Sequence, residues 1–248
     1  MRMLATLLVW AFGLTGYGQS QAFTKEPSKA PALPLEMSQE PRAKQLIANR
    51  RVRAYRIDLP AGGATGVDRH DHDFLVISLG NSQFEFAGSG NAYAMDMRDG
   101  EVEVMKGHWA HRVVNKSQQE LHLVEVEVVG EISPEHATCG LNAQACVGAK
   151  FAVKDDTNYV ESPLFETATV RLGKVEIAAG KGTPEHGHRG DHLMVALNDQ
   201  QLTNAVVAGD ILEIRAGPGD AAWMNAGIVH RVINRGNAPA RFLTVECK

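Results

Sequence analysis

Ten histidines occur in 248 residues, and four of them are spaced as ligands for a divalent metal would be. His186 and His188 stand two apart in the segment PEHGHRGDH, and His192 follows four residues later. Side chains of an extended strand alternate between faces, so positions 186, 188 and 192 share one face if the strand stays regular. Imidazoles converging on a point suit first-row metals such as Zn, Cu, Fe or Ni. His230, in GIVHRVIN, offers a fourth from a later segment that could close against the first. The competing reading is a chance cluster of surface histidines, and three of one parity within seven residues count against it. Asp191 points to the opposite face by parity, so it reads as a carboxylate that orients a ligand imidazole more readily than as a ligand itself.

The same constellation is written a second time, upstream. A shift of 118 residues sets Gly62 on Gly180, His70 on His188, Asp73 on Asp191 and Leu79 on Leu197. A shift of 119 sets Gly100 on Gly219, His111 on His230, Asn115 on Asn234 and Glu127 on Glu246. One inserted loop residue reconciles the halves, and the chain reads as a duplication. In the upstream copy Asp68 stands at the place of His186 and Phe74 at the place of His192. Asp68, His70 and His111 make a two-His-one-carboxylate set of the kind that suits non-haem iron, and His72 shares their parity and could substitute. The alternative is a copy that lost its metal and serves as scaffold. Both readings stay open on the sequence alone.

The elements that must carry these residues are short strands. Glu101 to Val104 alternates polar and apolar, while Leu75 to Leu79 and Leu123 to Val129 are apolar or β-branched runs bounded by Gly, Asn or Ser. No segment in either copy has the periodicity of a long amphipathic helix. The expected architecture is all-β, a small barrel or jelly roll repeated. Its expected boundaries are an extended lead-in or first edge strand at 23–48, a first barrel at 49–130, a linker at 131–166 and a second barrel at 167–248. Trp223 aligns with Val104 and reads as an inward packing residue, and Trp109 as a mouth or core residue. His108 takes the slot of Gly227 and reads as a loop histidine.

Arg2 followed by the apolar run Leu4 to Leu14 and then small residues reads as a signal peptide over residues 1–22. The run is too short to span a bilayer core of about 30 Å. The expected location is periplasmic or secreted, with no membrane association once the signal is removed. In an oxidising compartment Cys139 and Cys146, close together in CGLNAQAC, are placed for a disulfide, leaving Cys247 over. A formal charge of −4 with no basic run beyond Arg50-Arg51 argues against nucleic-acid or anionic-lipid partners. Nucleophile elbows, phosphate-cradling glycine loops and dinucleotide fingerprints are absent from the sequence.

Gly180, His186, His188 and His192, then Gly219, Asn225, Gly227, His230 and Asn234, together resemble the two-part signature of cupins. That pattern is G(x)5HxH(x)3–4E(x)6G followed by G(x)5PxG(x)2H(x)3N, and both repeats carry a version of it. Two departures stand out: His192 where the family places a Glu ligand, and Asn225 where it places Pro. The resemblance implies two tandem jelly-roll barrels and one divalent first-row metal (Fe, Mn, Zn, Ni or Cu) in the second barrel, with a second ion open for the first. An all-histidine set is neutral and leaves the ion its full charge as a Lewis acid. Similar cupins include dioxygenases, decarboxylases and isomerases. The implied function is therefore a metal enzyme on a small oxygen-rich molecule, the alternative being a non-catalytic metal- or ligand-binding module; a homo-oligomer is compatible with either. Glu185, Asp191 and His108 are the candidate acids or bases. Because a ligating imidazole must be neutral and free histidine titrates near 6.5, metal content is expected to fall below about pH 6.

Overall fold

The computed structural model describes residues 34–88, 90–130, 132–141, 143–146 and 158–248, so the candidate signal peptide lies outside the described residues. Pro34–Lys248 form one compact unit. Its first half holds strands β1 (Leu35–Glu36), β2 (Ala43–Ala48), β3 (Val52–Leu59), β4 (Asp68–Arg69) and β5 (Phe74–Ser78). It continues with β6 (Ser82–Gly88), β7 (Ala92–Met97), β8 (Val102–Met105), β9 (Ala110–Asn115) and β10 (Leu121–Val128). The second half holds β11 (Tyr159–Glu166), β12 (Val170–Ile177), β13 (His186–Gly187), β14 (Asp191–Ala196) and β15 (Gln200–Val206). β16 (Ile211–Ala216), β17 (Ala221–Met224), β18 (Val229–Asn234) and β19 (Ala240–Cys247) complete it.

Each half is a pair of sheets. The first has orders β1-β4-β9-β6-β7 and β2-β3-β10-β5-β8, and the second has β13-β18-β15-β16 and β11-β12-β19-β14-β17. Strand β5 is buried on both faces, which explains why FLVIS reads as a nearly continuous apolar run. Along β5, Phe74 and Val76 enter the first barrel with Ile57, Leu59, Phe84, Phe86, Leu121 and Leu123. Leu75 and Ile77 point the other way, into a layer shared with Leu193, Val195, Leu243 and Val245 of the second barrel. The interior of the second barrel is a third apolar cluster around Ile177, Met194, Leu202 and Phe242. Val104 and Trp223 pack against the shared layer rather than inside a barrel.

Of the two alternatives for 23–48, the described part takes that of an edge segment, and the second barrel begins earlier than expected. β2 pairs with β3 and β1 with β4, so residues 35–48 are edge strands of the first barrel. β11 pairs with β12 along its length, so Tyr159–Glu166, expected in the linker, is the outer strand of the second. Edge strands bury one face only in part, and their weak alternation hides them from a pattern search.

The signature asparagines serve the backbone. Asn115 Nδ2 donates to the carbonyls of Leu59, Pro60 and Gln119 at 3.2, 3.0 and 2.7 Å. Asn234 Nδ2 donates to those of Ile177 and Ala238 at 3.0 and 2.8 Å. Each amide ties the ends of neighbouring strands in a buried place where unpaired carbonyls would be costly. Cys139 and Cys146 are joined as a disulfide. Backbone bonds between Cys139, Thr138 and Glu166 tack that loop onto β11. Cys247 is a free thiol buried in the shared layer.

Candidate metal centre

In the second barrel His186 on β13 and His230 on β18 are directly opposite in register, with ring centroids 4.6 Å apart. His188 follows where β13 gives way to a bend. Gly190 makes that bend possible: a Cβ there would lie 1.8 Å from the Cys247 carbonyl oxygen, so no other residue fits. Glu246 accepts the backbone N–H groups of Arg189 and Gly190, both at 3.1 Å, and so pins the loop that carries His188.

The ring nitrogens are prepared for a cation. His230 Nδ1 donates to Asn204 Oδ1 at 2.6 Å and His186 Nδ1 donates to the Pro184 carbonyl at 2.9 Å. Each bond commits the proton to Nδ1 and leaves the Nε2 lone pair free. His230 Nε2 is buried and has no partner. One nitrogen from each of His186, His188 and His230 lies within 4.8 Å of the other two. Burial, and then the neighbouring imidazoles, push the pKa values of His188 and His230 down to about 4. Burial followed by His230 does the same to His192. These three imidazoles are uncharged at neutral pH, as ligation requires. These residues fit a divalent ion, and protons should compete with it well below the pH 6 expected from free imidazole.

Two candidate residues sit elsewhere than the spacing suggested. His192 is outside that triangle and stacks on His188, with centroids 3.8 Å apart and planes at 30°. It still reaches the side of the site, 6.2 Å from His230 between ring centroids, but from a separate strand: His186 is on β13, whereas His192 is on β14 opposite Met224 and Glu246. Asp191 makes no hydrogen bond to an imidazole; its Oδ1 accepts the Ala226 N–H at 2.9 Å and its Oδ2 lies 4.0 Å from Arg50. The orienting acceptor is Asn204, which sequence reasoning missed, although a polar residue at a buried position of QQLTNAV could have signalled it. Glu185 and His108 are exposed. His108 adopts φ 63° where the repeat has Gly227 at 79°, so it holds a turn.

In the first barrel Asp68 on β4 faces His111 on β9, with Oδ1 and Nε2 at 3.7 Å. His111 Nδ1 donates to the Trp109 carbonyl at 3.3 Å, again leaving Nε2 free. His70 Nε2 lies 3.0 Å from Glu125 Oε2. Asp68, His70 and His111 are brought together, each offering a ligand atom within 4.8 Å of the others. His72 is not, because the chain bends after β4; it is half-exposed and its backbone N–H donates to Glu127 at 2.8 Å. Phe74 stacks on His70 at 3.9 Å, the counterpart of His192 on His188. Burial, and then the Glu125 charge, push Asp68 up to about 8. Burial lowers His70, but the hydrogen bond and charge of Glu125 outweigh it and raise the pKa; burial lowers that of His111. Glu125 was also missed, though it shares the parity of the inward Leu121 and Leu123.

Residues 173–246 match the cupin domain family. The match lies in the second barrel, and the whole chain has the fold of two tandem cupin-type barrels. Among solved structures, the chain is similar to the formate complex of Lactobacillus farciminis oxalate decarboxylase, at 13% identity, TM-score 0.57, covering 89% of this chain and 87% of that one. It is similar to AerE from Microcystis aeruginosa at 12% identity, TM-score 0.57, covering 84% and 98%. A salicylate 1,2-dioxygenase variant from Pseudoaminobacter salicylatoxidans in complex with gentisate shows 10% identity, TM-score 0.58 and coverage of 83% and 74%. No curated protein matches the sequence. At these identities the likeness is one of fold.

Proposed function

We propose that this protein is an exported mononuclear metal enzyme whose second barrel acts on a small, oxygen-rich anion. The observation that carries the reading is the convergence of three imidazoles, two of them reachable from solvent. His186 and His188 are partly exposed, whereas His230 and Asn204 behind them are buried. His186, His188 and His230 would hold the ion, with His192 beside them as a further donor. A divalent ion bound there supplies Lewis acidity at the coordination positions facing the mouth.

The remaining work belongs to the chain. Asn204 holds the His230 ring in its ligating tautomer, and Glu246 and Gly190 hold the loop that presents His188. Neutral ligands leave the site a net positive charge, which favours carboxylate, enolate or phenolate oxygens over neutral donors. Two of the structural neighbours are named for such substrates, oxalate and salicylate. Export is supported by the apolar N-terminal segment in the sequence and by the disulfide.

The test is to load the mature protein with Fe(II) or Mn(II) and present oxalate, salicylate and gentisate, following product by chromatography and binding by calorimetry. Metal-dependent turnover that disappears in His188→Ala/His230→Ala supports the reading. A metal-loaded protein that binds such anions without turning them over would make it a binding module. Unchanged metal content in the double variant would remove the site.

A further inference from the structure

The inner wall beside the second-barrel histidines is aliphatic and open. Residues opposite one another on neighbouring strands present their side chains to the same face. Val206 is opposite His230, Leu212 is opposite Asn204, and Met224 is opposite His192. Leu202 and Met194, two residues along from Asn204 and His192, lie in the interior cluster, so the shared face is the inner one. Val206, Leu212 and Met224 therefore line the barrel next to the imidazoles. Asn204 Nδ2 lies 3.8 Å from Met224 Sδ, which joins the two sheets at this level. Leu212 is 56% exposed although it faces inward, so the wall meets solvent there.

The repeat shows what the opening replaces. Gly88, Tyr93 and Trp109 are the counterparts of Val206, Leu212 and Ile228. In the first barrel Trp109 stacks on His111 with centroids 4.5 Å apart, and Tyr93 meets Trp109 edge-on at 5.6 Å. Gly88 makes room for the indole, because a Cβ there would lie 2.4 Å from the ring. The second barrel has Val206 at the glycine position and aliphatic residues at the other two. Among the described residues, the rings that approach His230 are those of His186, His188 and His192.

Charge narrows what can enter. Among the described residues, the inward positions of β14 to β18 carry no Lys or Arg. Arg171 on β12 is engaged by Glu161 and Glu246 at 3.7 and 4.0 Å. A bound ion can hold one carboxylate or hydroxy-acid group, but a second carboxylate would be pressed against aliphatic carbon with no partner, which is costly. A hydrocarbon body gains from the same wall. We infer that the second barrel selects a carboxylate carrying an apolar, ring-sized body over a small dicarboxylate, and that Leu212 is the residue that sets the choice. This selectivity belongs to the metal site proposed above and rests on that reading.

The test measures binding without turnover. Zn(II) has no redox chemistry, so the Zn(II)-loaded mature protein is titrated by calorimetry with mandelate and with tartronate. The two share one α-hydroxycarboxylate head and differ in bearing a phenyl ring or a second carboxylate, so the contrast reads the wall and not the ion. The wild type should bind mandelate about 10-fold tighter or more. Leu212→Ala removes most of the apolar surface and should weaken mandelate by about 10-fold with little effect on tartronate. Leu212→Lys places a cation at the opening and should tighten tartronate by about 10-fold while weakening mandelate. Leu212 is exposed on the edge strand β16, so both variants should fold and keep their Zn(II), as circular dichroism and metal analysis would show. Tartronate bound as tightly as mandelate by the wild type, or a ratio unmoved in both variants, would overturn the inference and leave the metal site standing. Failure of the site itself looks different: Zn(II) content that His188→Ala/His230→Ala does not alter, or a Zn(II)-loaded wild type that binds neither anion, overturns both.

Discussion

Replacing Asn204 by Leu tests whether the second-barrel site is built as its hydrogen bonds indicate. Asn204 Oδ1 accepts the His230 Nδ1 proton at 2.6 Å, and both residues are buried. Leu keeps the branched shape, though it is bulkier, and has no acceptor, so the ring loses the bond that fixes its tautomer and orientation. Changes of this kind typically weaken a metal site by about 10- to 100-fold, or about 1.4 to 2.8 kcal/mol. The unsatisfied Nδ1–H adds an independent cost of about 1 to 3 kcal/mol to folding stability, visible as a lower melting temperature of the metal-free protein. Competition with a chromophoric chelator at pH 7.5 measures the affinity for Zn(II) or Mn(II). Asn204→Asp should bind at least as tightly as the wild type, because a carboxylate strengthens the bond to the imidazole. Asp191→Asn should cost well under tenfold, since Asp191 serves the Ala226 N–H and not a ligand. Wild-type affinity in Asn204→Leu, or a larger loss in Asp191→Asn, would refute the assignment of the orienting role.

Further outcomes follow from the same geometry. In the metal-free protein His188, His192 and His230 are held near 4, below the ordinary value, so the unfolded chain takes up protons first on acidification. Their contribution to stability should be flat above about pH 6.5 and decline between that pH and 4, as thermal melts across this range would show. Bound metal should persist through pH 6 and fall only nearer 4, measured by dialysis at each pH. The Cys139–Cys146 bridge closes a short loop, and a Cys139→Ser/Cys146→Ser variant should lose about 2.5 kcal/mol in chemical denaturation. Leu193→Ala opens a cavity in the layer between the barrels and should cost about 2 to 5 kcal/mol, with both barrels still melting in one transition. Two separated transitions would show that the layer does not couple them.

The duplication and the barrel architecture were legible because buried strands repeat their register residues. His70 and His188, Asn115 and Asn234, and Glu127 and Glu246 occupy matching places in the sequence and in the structure. What escaped had a physical cause. His192 was read as continuing the strand of His186, but Gly190 sits where the chain must pass the Cys247 carbonyl, so His192 reaches the site from a separate strand. His72 was misplaced by the same step, since the chain bends after β4. Asn204 and Glu125 escaped because each approaches its histidine from 26 and 55 residues away along the chain, and no local spacing records a contact made across a barrel.

The pairing of the two copies gives those missed residues their meaning. In both barrels the second histidine of the motif lies under a stacked ring, Phe74 in one and His192 in the other, so the packing of the site survived the loss of a ligand. The orienting group changed as well: Asn204 aligns with Phe86, and the imidazole proton it accepts in the second barrel goes to the Trp109 carbonyl in the first. Those exchanges make the first site more apolar at its wall and more acidic at its centre. The second kept neutral donors and partly exposed rings. Strands β5, β10, β14 and β19 present site residues on one face and the shared layer on the other: Phe74 beside Leu75, Glu125 beside Val126, His192 beside Leu193, Glu246 beside Val245. The same strands therefore couple the two barrels: a change in the shared layer is felt by the site residues that alternate with it.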